Sequence, residues 1–417
     1  MNIFYKILCF MVFLASPLCA IAENGVTDKE ILIGSSLALT GGTGYLGAQY
    51  KYGAMAYIEA VNDNGGVNGR QIKVSWRDDV YDPVLTLVNT RKLLEEDQVF
   101  CLFNYIGTTS AVKVLPMLAH HKVPLVGVLS GARILREPVN PYVFNVRSSY
   151  SNEIEAVVMH TVKDLGLKKV AVFYQYDAYG IDGLKSTEVV LEKYGLTPVS
   201  AESYDRGSTD IREPLKAIQA SGAELVIMVG VYEACAKFII EGKKQGFHPV
   251  YYNVSFVGPE KLVELLGESG QGELLTLVVP PLSEARPPEP AVADIVPYGV
   301  AALPVVPVAP QPTGFQGITD YINTLQQYFP VAPSTVSFEG FINAKVLVEA
   351  LKRAGPDLTR EKFIGAVESI KNFDLGIGSN STFGPADHQG LDQVYVVRID
   401  KGGMVPVVDW AGLKKKF

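Results

Sequence analysis

The sequence predicts an α/β chain folded as two doubly wound lobes. Three observations carry this expectation. Short β-rich runs alternate with helical runs from about residue 31 to residue 253. The alternation restarts after Arg147, so each half holds about 120–130 residues, an ordinary domain size. The full 417 residues also exceed what one hydrophobic core comfortably serves. Strand–helix–strand units of this kind imply parallel sheets covered by helices on both faces.

Composition narrows the function classes. Hydrophobic residues make up 48% and charged residues 19%, too apolar a balance for a disordered chain. The formal net charge of −7 argues against nucleic-acid binding, which needs a basic face to displace counterions. The four cysteines, Cys9, Cys19, Cys101 and Cys235, form neither a disulfide framework nor a CxxC pair. Cys101 and Cys235 sit in apolar surroundings and read as small buried hydrophobes.

Residues 1–22 stand apart. Lys6 is their only charge, and the apolar run 7–22 is short for a membrane span of about 20 residues. It ends in Ala20-Ile21-Ala22, an A-x-A cleavage signal. The segment is therefore expected to be a secretory signal peptide, removed before Glu23, with the mature chain in the periplasm. An uncleaved anchor and a lipoprotein modified at Cys19 are the alternatives; Leu18 before that cysteine disfavours lipidation. Export also removes the chain from nicotinamide cofactors and ATP, so no cofactor is expected.

In the first half the elements run as strand 31–39, helix 48–62, strand 72–76, helix 83–96, strand 99–104, helix 111–119 and strand 124–129. Leu85, Val88, Leu93 and Leu94 recur at helical spacing in 83–96. The second half runs as helix 152–165, strand 170–174, helix 183–194, strand 197–203, helix 211–220, strand 225–229, helix 234–244 and strand 250–253. Ten prolines between Pro280 and Pro312 exclude a central strand or helix there and suggest an extended crossover. Helices 318–328, 338–353 and 360–370 follow, the last behind Thr359 as N-cap, then strands 393–399 and 405–409.

The candidate site residues lie at strand ends, where open α/β sheets place ligands. Gly42-Thr43-Gly44-Tyr45-Leu46-Gly47 matches GxGxxG between a strand and a helix, with Asp78 and Asp79 ending the next strand. A dinucleotide site is one reading; absent cofactor outside the cytoplasm favours a tight or ligand-contacting turn. Tyr105-Ile106-Gly107-Thr108-Thr109-Ser110 gathers three hydroxyls at a helix start, where free N–H groups and the dipole favour a carboxylate. Simple N-capping by Thr109 or Ser110 is the plainer alternative. Leu129, Ser130 and Gly131 end the next strand. In the second half Tyr179, Tyr232 and Ser255-Phe256 follow three strands and offer aromatic side chains along one sheet edge. Catalysis finds little support: there is no GxSxG elbow, and the five histidines form no HExxH, so no metal site is expected.

Taken in order, LALTGG, NDNGGVNGR, RDDVYDP, FNYIGTTSA, VPLVGVLSGA, VAVFYQYDAYG, GVYEA and EGFINAKVLVEAL resemble the type I periplasmic binding proteins. The nearest group is the branched-chain amino-acid (leucine/isoleucine/valine) substrate-binding family of ABC importers. The resemblance spans nearly all of 25–417. It implies two Rossmann-like lobes joined by a three-crossover hinge. The expected layout is signal peptide 1–22, first lobe 23–147, second lobe 148–278, a Pro-rich crossover and return to the first lobe over 279–382, and closing strands of the second lobe over 383–417.

By position, the resemblance puts the ligand carboxylate on Gly107, Thr108 and Thr109, a second contact segment on Leu129, Ser130 and Gly131, second-lobe aromatics on Tyr179 and Tyr232, and a first-loop aromatic on Tyr45. The family's acid for the ligand ammonium falls on Ser255, with Glu260 and Glu233 the nearest acidic candidates. The implied function is a non-catalytic, monomeric protein that closes on an amino acid or a related small carboxylate or amide and hands it to an inner-membrane ABC permease. A sensory receptor of the same fold, and more remotely a dinucleotide-using enzyme, are the alternatives.

Overall fold

The computed structural model describes residues 23–284 and 314–413. The expected signal peptide, with Cys19, and most of the Pro-rich stretch lie outside the described residues.

The first lobe is built on strands β1 (Glu30–Leu37), β2 (Gln71–Asp78), β3 (Leu102–Phe103), β4 (Leu125–Val126) and β5 (Val143–Phe144). They pair all-parallel in the order β2-β1-β3-β4-β5. Helices α1 (Gly44–Asp63), α2 (Pro83–Glu95) and α3 (Thr108–His121) supply the crossovers. Local chemistry explains where they start. Pro83 occupies the first position of α2, and the Asp82 carboxylate accepts from the Val84 N–H, filling an otherwise orphaned donor.

The second lobe takes α4 (Tyr150–Lys163), β6 (Val170–Gln175), α5 (Ala178–Glu192), β7 (Ser200–Tyr204), α6 (Arg212–Ala220), β8 (Leu225–Val229), α7 (Tyr232–Lys244), β9 (Val250–Asn253), α8 (Pro259–Leu266) and β10 (Leu274–Leu277). The chain then returns to the first lobe as α9 (Gln316–Tyr328), α10 (Thr335–Ala354), α11 (Arg360–Glu368) and the ribbon β11 (Phe373–Asp374) with β12 (Asn380–Ser381). It ends in the second lobe with β13 (Tyr395–Asp400), β14 (Gly403–Pro406) and α12 (Trp410–Leu413). The seven-stranded sheet has the order β14-β13-β10-β9-β8-β6-β7, parallel except for β13, which runs antiparallel to both β10 and β14. Its interior strand β8, LVIMV, is buried along its whole length, as a strand covered on both faces must be.

The chain thus changes lobe three times, and the first and third crossings run side by side. Asn145 and Gln389 form a parallel bridge, the Asn145 N–H donates to the His388 carbonyl at 2.8 Å, and His388 stacks on Phe144 at 4.1 Å. Phe383 and Leu391 still pack in the first lobe's core, so the final return falls later than the expected boundary at 383. Among the described residues no helix is long and apolar enough to cross a membrane. Cys101 and Cys235 are free and buried.

Two departures from the expected elements matter for the site. The runs 99–104 and 124–129 shrink to two-residue strands, because Asn104 and Gly127 adopt φ of +54° and +74° and interrupt the ladder. Pairing resumes beyond them as a single bridge, Ile106 to Leu129. Second, α3 and α5 begin three and five residues earlier than expected, so Thr108, Thr109 and Tyr179 belong to first helical turns rather than to loops.

Candidate interlobe binding site

The first-lobe wall is made by the start of α3. Gly107 precedes it at φ +92° and ψ 142°, backbone that an L side chain rarely adopts, and a Cβ there would lie 2.7 Å from Tyr81 Cε2. No side chain caps this helix. Thr108 Oγ1 shares a hydrogen bond with Ser130 Oγ at 2.8 Å, the Thr86 hydroxyl donates to Ser110 Oγ at 3.0 Å, and Thr109 Oγ1 is buried without a partner. The three hydroxyls therefore do not serve as a simple cap. The first-turn N–H groups and the positive end of the helix dipole suit a carboxylate. The Ile106–Leu129 bridge, with Gly107 N–H donating to the Leu129 carbonyl at 3.1 Å, holds the two hydroxyl segments together.

The second-lobe wall is aromatic. Asp177 caps α5 by accepting from the N–H groups of Tyr179 and Gly180 at 3.0 and 3.2 Å. This fixes Tyr179, whose ring lies 5.3 Å from Tyr150 and 4.5 Å from Phe256. Phe256 in turn faces Tyr81 of the first lobe at 6.2 Å. Tyr232, in the first turn of α7, meets Tyr45 edge-on at 6.1 Å and donates from its hydroxyl to the Gly42 carbonyl. Burial pushes the hydroxyls of Tyr45, Tyr179 and Tyr232 above their ordinary range, so they act as neutral hydrogen-bonding groups.

Further polar contacts hold the lobes together. The Arg206 guanidinium lies 3.6 Å from the Tyr81 ring centre, donates to the Tyr81 carbonyl and pairs with Asp177. On the other flank the Arg133 N–H donates to Asp182 Oδ1 at 3.0 Å. Burial pushes the Asp182 carboxyl up to about 6, only partly offset by that N–H and by nearby arginines.

At the hinge end of the site lies a buried ionic group. Arg147, from the first crossing, is 3.2 Å from Glu153 of α4 and 3.5 Å from Glu339 of α10. Glu153 Oε2 also accepts from Ser255 N–H at 2.7 Å and the Thr276 hydroxyl at 2.5 Å, and Oε1 from the Ser255 hydroxyl at 2.9 Å. A void of about 10 Å³ beside it is bordered by Leu46, Leu129, Ser255, Val278, Thr335 and Glu339.

Tyr45, Gly107, Thr108, Thr109, Leu129, Ser130, Gly131, Tyr179, Tyr232, Ser255 and Phe256 thus lie on or against the surfaces where the lobes meet. Tyr105 does not. It is buried inside the first lobe with its hydroxyl bonded to Thr90 of α2 at 2.9 Å, because side chains alternate along extended chain and Ile106 takes the cleft side. The GxGxxG turn is also explained structurally. Asp78 holds Thr40 and the Leu39 N–H, and Asp79 holds Ser36, Thr86 and the Tyr81 N–H, so neither acid is free for a ribose. Tyr81, Tyr150, Arg147, Arg206 and Glu339 also lie at the interlobe surface or the hinge, and sequence reasoning did not single them out. Tyr81 sits in the RDDVYDP run and Glu339 in the EGFINAKVLVEAL run, but neither stretch marks which side chain faces the other lobe. Among the described residues no group of three His, Cys, Asp or Glu side chains suits a metal ion.

Comparison with known proteins agrees with this architecture. A family model described as periplasmic binding protein matches residues 30–404. An amino acid binding protein of Pseudomonas aeruginosa is 25% identical over 262 residues, 60% of this chain and 68% of that protein. A Leu/Ile/Val-binding protein homolog of Brucella melitensis is 26% identical over 203 residues, 49% of this chain and 55% of its own length. The crystal structure of a possible leucine/isoleucine/valine-binding protein from Rhodopirellula baltica superposes with a TM-score of 0.80 at 27% identity, covering 94% of this chain and 98% of that one.

Proposed function

Since the chain belongs to the periplasmic binding protein family, a family of binding proteins and not of enzymes, we propose that it is an exported carrier that captures an amino acid or a related small carboxylate between its lobes and delivers it to an ABC permease. One observation carries this reading. The uncapped, hydroxyl-flanked start of α3 and the aromatic wall of Tyr179, Tyr232 and Phe256 belong to opposite lobes and approach each other across the interlobe surface. An N–H and hydroxyl cluster takes a carboxylate without a buried cation, and an aromatic wall suits an apolar or aromatic side chain. The names of the similar proteins support a branched-chain ligand.

In this mechanism the ligand first meets Thr108, Thr109 and Ser130 on the open first lobe. The second lobe then swings over it, and closure is favoured only by contacts the ligand makes with both lobes. The test is calorimetry and thermal shift on the mature chain with a panel of aliphatic and aromatic amino acids, amides and simple carboxylates. A true ligand at a hundredfold excess over its Kd stabilises the chain by about 2.7 kcal/mol. Thr108→Val should weaken binding of that ligand roughly tenfold, the loss expected for a hydrogen bond to a charged group. Absence of binding across the whole panel rejects the proposal, and unchanged affinity in Thr108→Val rejects the carboxylate role of α3.

A further inference from the structure

The candidate acids around the cleft differ in how fully they are occupied. Glu233 is exposed on the rim near Gly42. Glu260 Oε1 accepts from the Thr335 N–H at 2.6 Å at the start of α10; its Oε2 is buried without a partner among the described residues, but Glu260 does not border the void beside Ser255. Glu153 accepts four donors, from Arg147, the Ser255 N–H, the Ser255 hydroxyl and Thr276, which fills a carboxylate's capacity. Asp177 and Asp79 are likewise spent on caps and hydroxyls. Ser255 stands where the resemblance expects an acid, and both its N–H and its hydroxyl are committed to Glu153.

Glu339 is different. It is 6% exposed, yet its only polar contacts among the described residues are at 3.5 Å, to the Tyr50 hydroxyl and to Arg147 Nη1, at the outer limit for a hydrogen bond. Arg147 Nη1 and Nε make no hydrogen bond among the described residues. Arg136, the other buried cation nearby, donates to the carbonyls of Ser130, Ala132 and Arg147 and to Gln389, and pairs with no carboxylate. The ion group of Arg147, Glu153 and Glu339 therefore carries one positive and two negative side chains, with the second negative one nearly unpartnered. Glu339 borders the void of about 10 Å³, a space on the scale of one water molecule or one ammonium group. Leu129 borders the same void, and the next residue, Ser130, carries the hydroxyl that pairs with Thr108.

We propose that Glu339, reaching in from α10, is the acid that receives the ammonium of a zwitterionic α-amino acid whose carboxylate is held by the start of α3. The Leu129–Ser130 step then serves both groups of the ligand: Ser130 beside the carboxylate, Leu129 beside the ammonium. The acid comes from the first lobe, so carboxylate and ammonium are both gripped before the second lobe closes. The assignment rests on the reading above that the cleft takes a small carboxylate.

The experiment measures calorimetric Kd values for leucine, valine and phenylalanine and for their deaminated acids, isocaproate, isovalerate and hydrocinnamate. It uses the mature wild type, Glu339→Gln and Glu339→Asp, with circular dichroism and melting curves to verify folding. The wild type should bind one of the amino acids roughly 10- to 100-fold tighter than its deaminated acid. Glu339→Gln should erase that preference, and Glu339→Asp should keep part of it. Equal wild-type affinity for an amino acid and its deaminated acid overturns the assignment and leaves the carboxylate reading standing. An undiminished preference in folded Glu339→Gln does the same. Failure of the wild type to bind either series overturns both. The wild-type ligand series decides the matter even where a variant does not fold.

Discussion

Single residues in this molecule do opposite kinds of work according to how their charge is satisfied. Arg147 is 2% exposed and lies between Glu153 and Glu339. Burial opposes its charge, but the two glutamates outweigh that and hold the guanidinium above its ordinary range. Replacing it by methionine strands buried carboxylates, so Arg147→Met should cost about 3–5 kcal/mol in a urea melt; a cost under about 1 kcal/mol would mean the group is solvated. Glu339 is the member that titrates. Burial pushes its carboxyl up to about 7 from an ordinary 4.5, with Arg147 pulling it down and Glu153 adding repulsion. Between those two values the native state holds a proton that the unfolded chain has lost, so this group's stabilisation is present at low pH and disappears as pH rises through 7. Glu273 beside Lys243, also pushed up by burial to about 7, adds a slope of the same sign. Comparing melts of the wild type and Glu339→Gln isolates the first: the stability difference between them should change by about 3 kcal/mol from pH 4.5 to pH 8. Parallel pH profiles would place the carboxylate in contact with water.

At the level of elements, the helix pair α1 and α10 forms the backbone of the first lobe and carries both Tyr45 and Glu339 to the interlobe surface. The helices approach closely because Gly53 faces the Ser337 carbonyl; a Cβ on Gly53 would lie 1.6 Å from that oxygen. The overlap is with backbone, so no side chain can yield, and Gly53→Ala should cost at least about 1–3 kcal/mol and weaken ligand binding with it. Full stability in the alanine variant would show that the helices slide apart freely. Most elements were legible in the sequence. Strands β8 and β9 sit where the alternation put them, because buried strands such as LVIMV are bounded by turn residues. Helix starts were harder. α3 and α5 start early because Gly107 and Asp177 set the first turn, a decision made by one residue and not by apolar period. α8 and β10 went unread: an eight-residue helix and a four-residue strand give too few repeats for a period to show. For the candidate site, strand-end position put Thr108, Ser130, Tyr179 and Tyr232 at the surface where the lobes meet. It could not locate Glu339 or Arg147, whose place depends on α10 and the first crossing meeting in space.

For the whole molecule, the question is what holds the lobes closed. The paired crossings at Asn145 and Gln389 act as a fixed strap, while the far side combines aromatic packing of Tyr45 on Tyr232 and of Phe256 on Tyr81 with polar links: Tyr232 to Gly42, Arg133 to Asp182, and Arg206 over Tyr81. The last is the most substantial polar link, since one guanidinium, anchored by Asp177 of its own lobe, makes both a carbonyl bond and a ring contact to Tyr81, together worth about 1–3 kcal/mol in a partly desolvated position. Removing it leaves the α5 cap intact, because Asp177 still accepts from Tyr179 and Gly180. Arg206→Ala should therefore open the molecule without unfolding it. Apparent affinity scales with the fraction of binding-competent molecules, so a shift of 1.4 kcal/mol toward the open form weakens binding up to about tenfold. Small-angle scattering of the ligand-free variant should give a larger radius of gyration than the wild type, and saturating ligand should return it to the wild-type value. Thr108→Val provides the contrast, since it lowers affinity through the ligand's carboxylate and should leave the ligand-free radius unchanged. Equal radii for Arg206→Ala and wild type, together with equal affinities, would mean that closure is held at the hinge strap and not at the lobe tips.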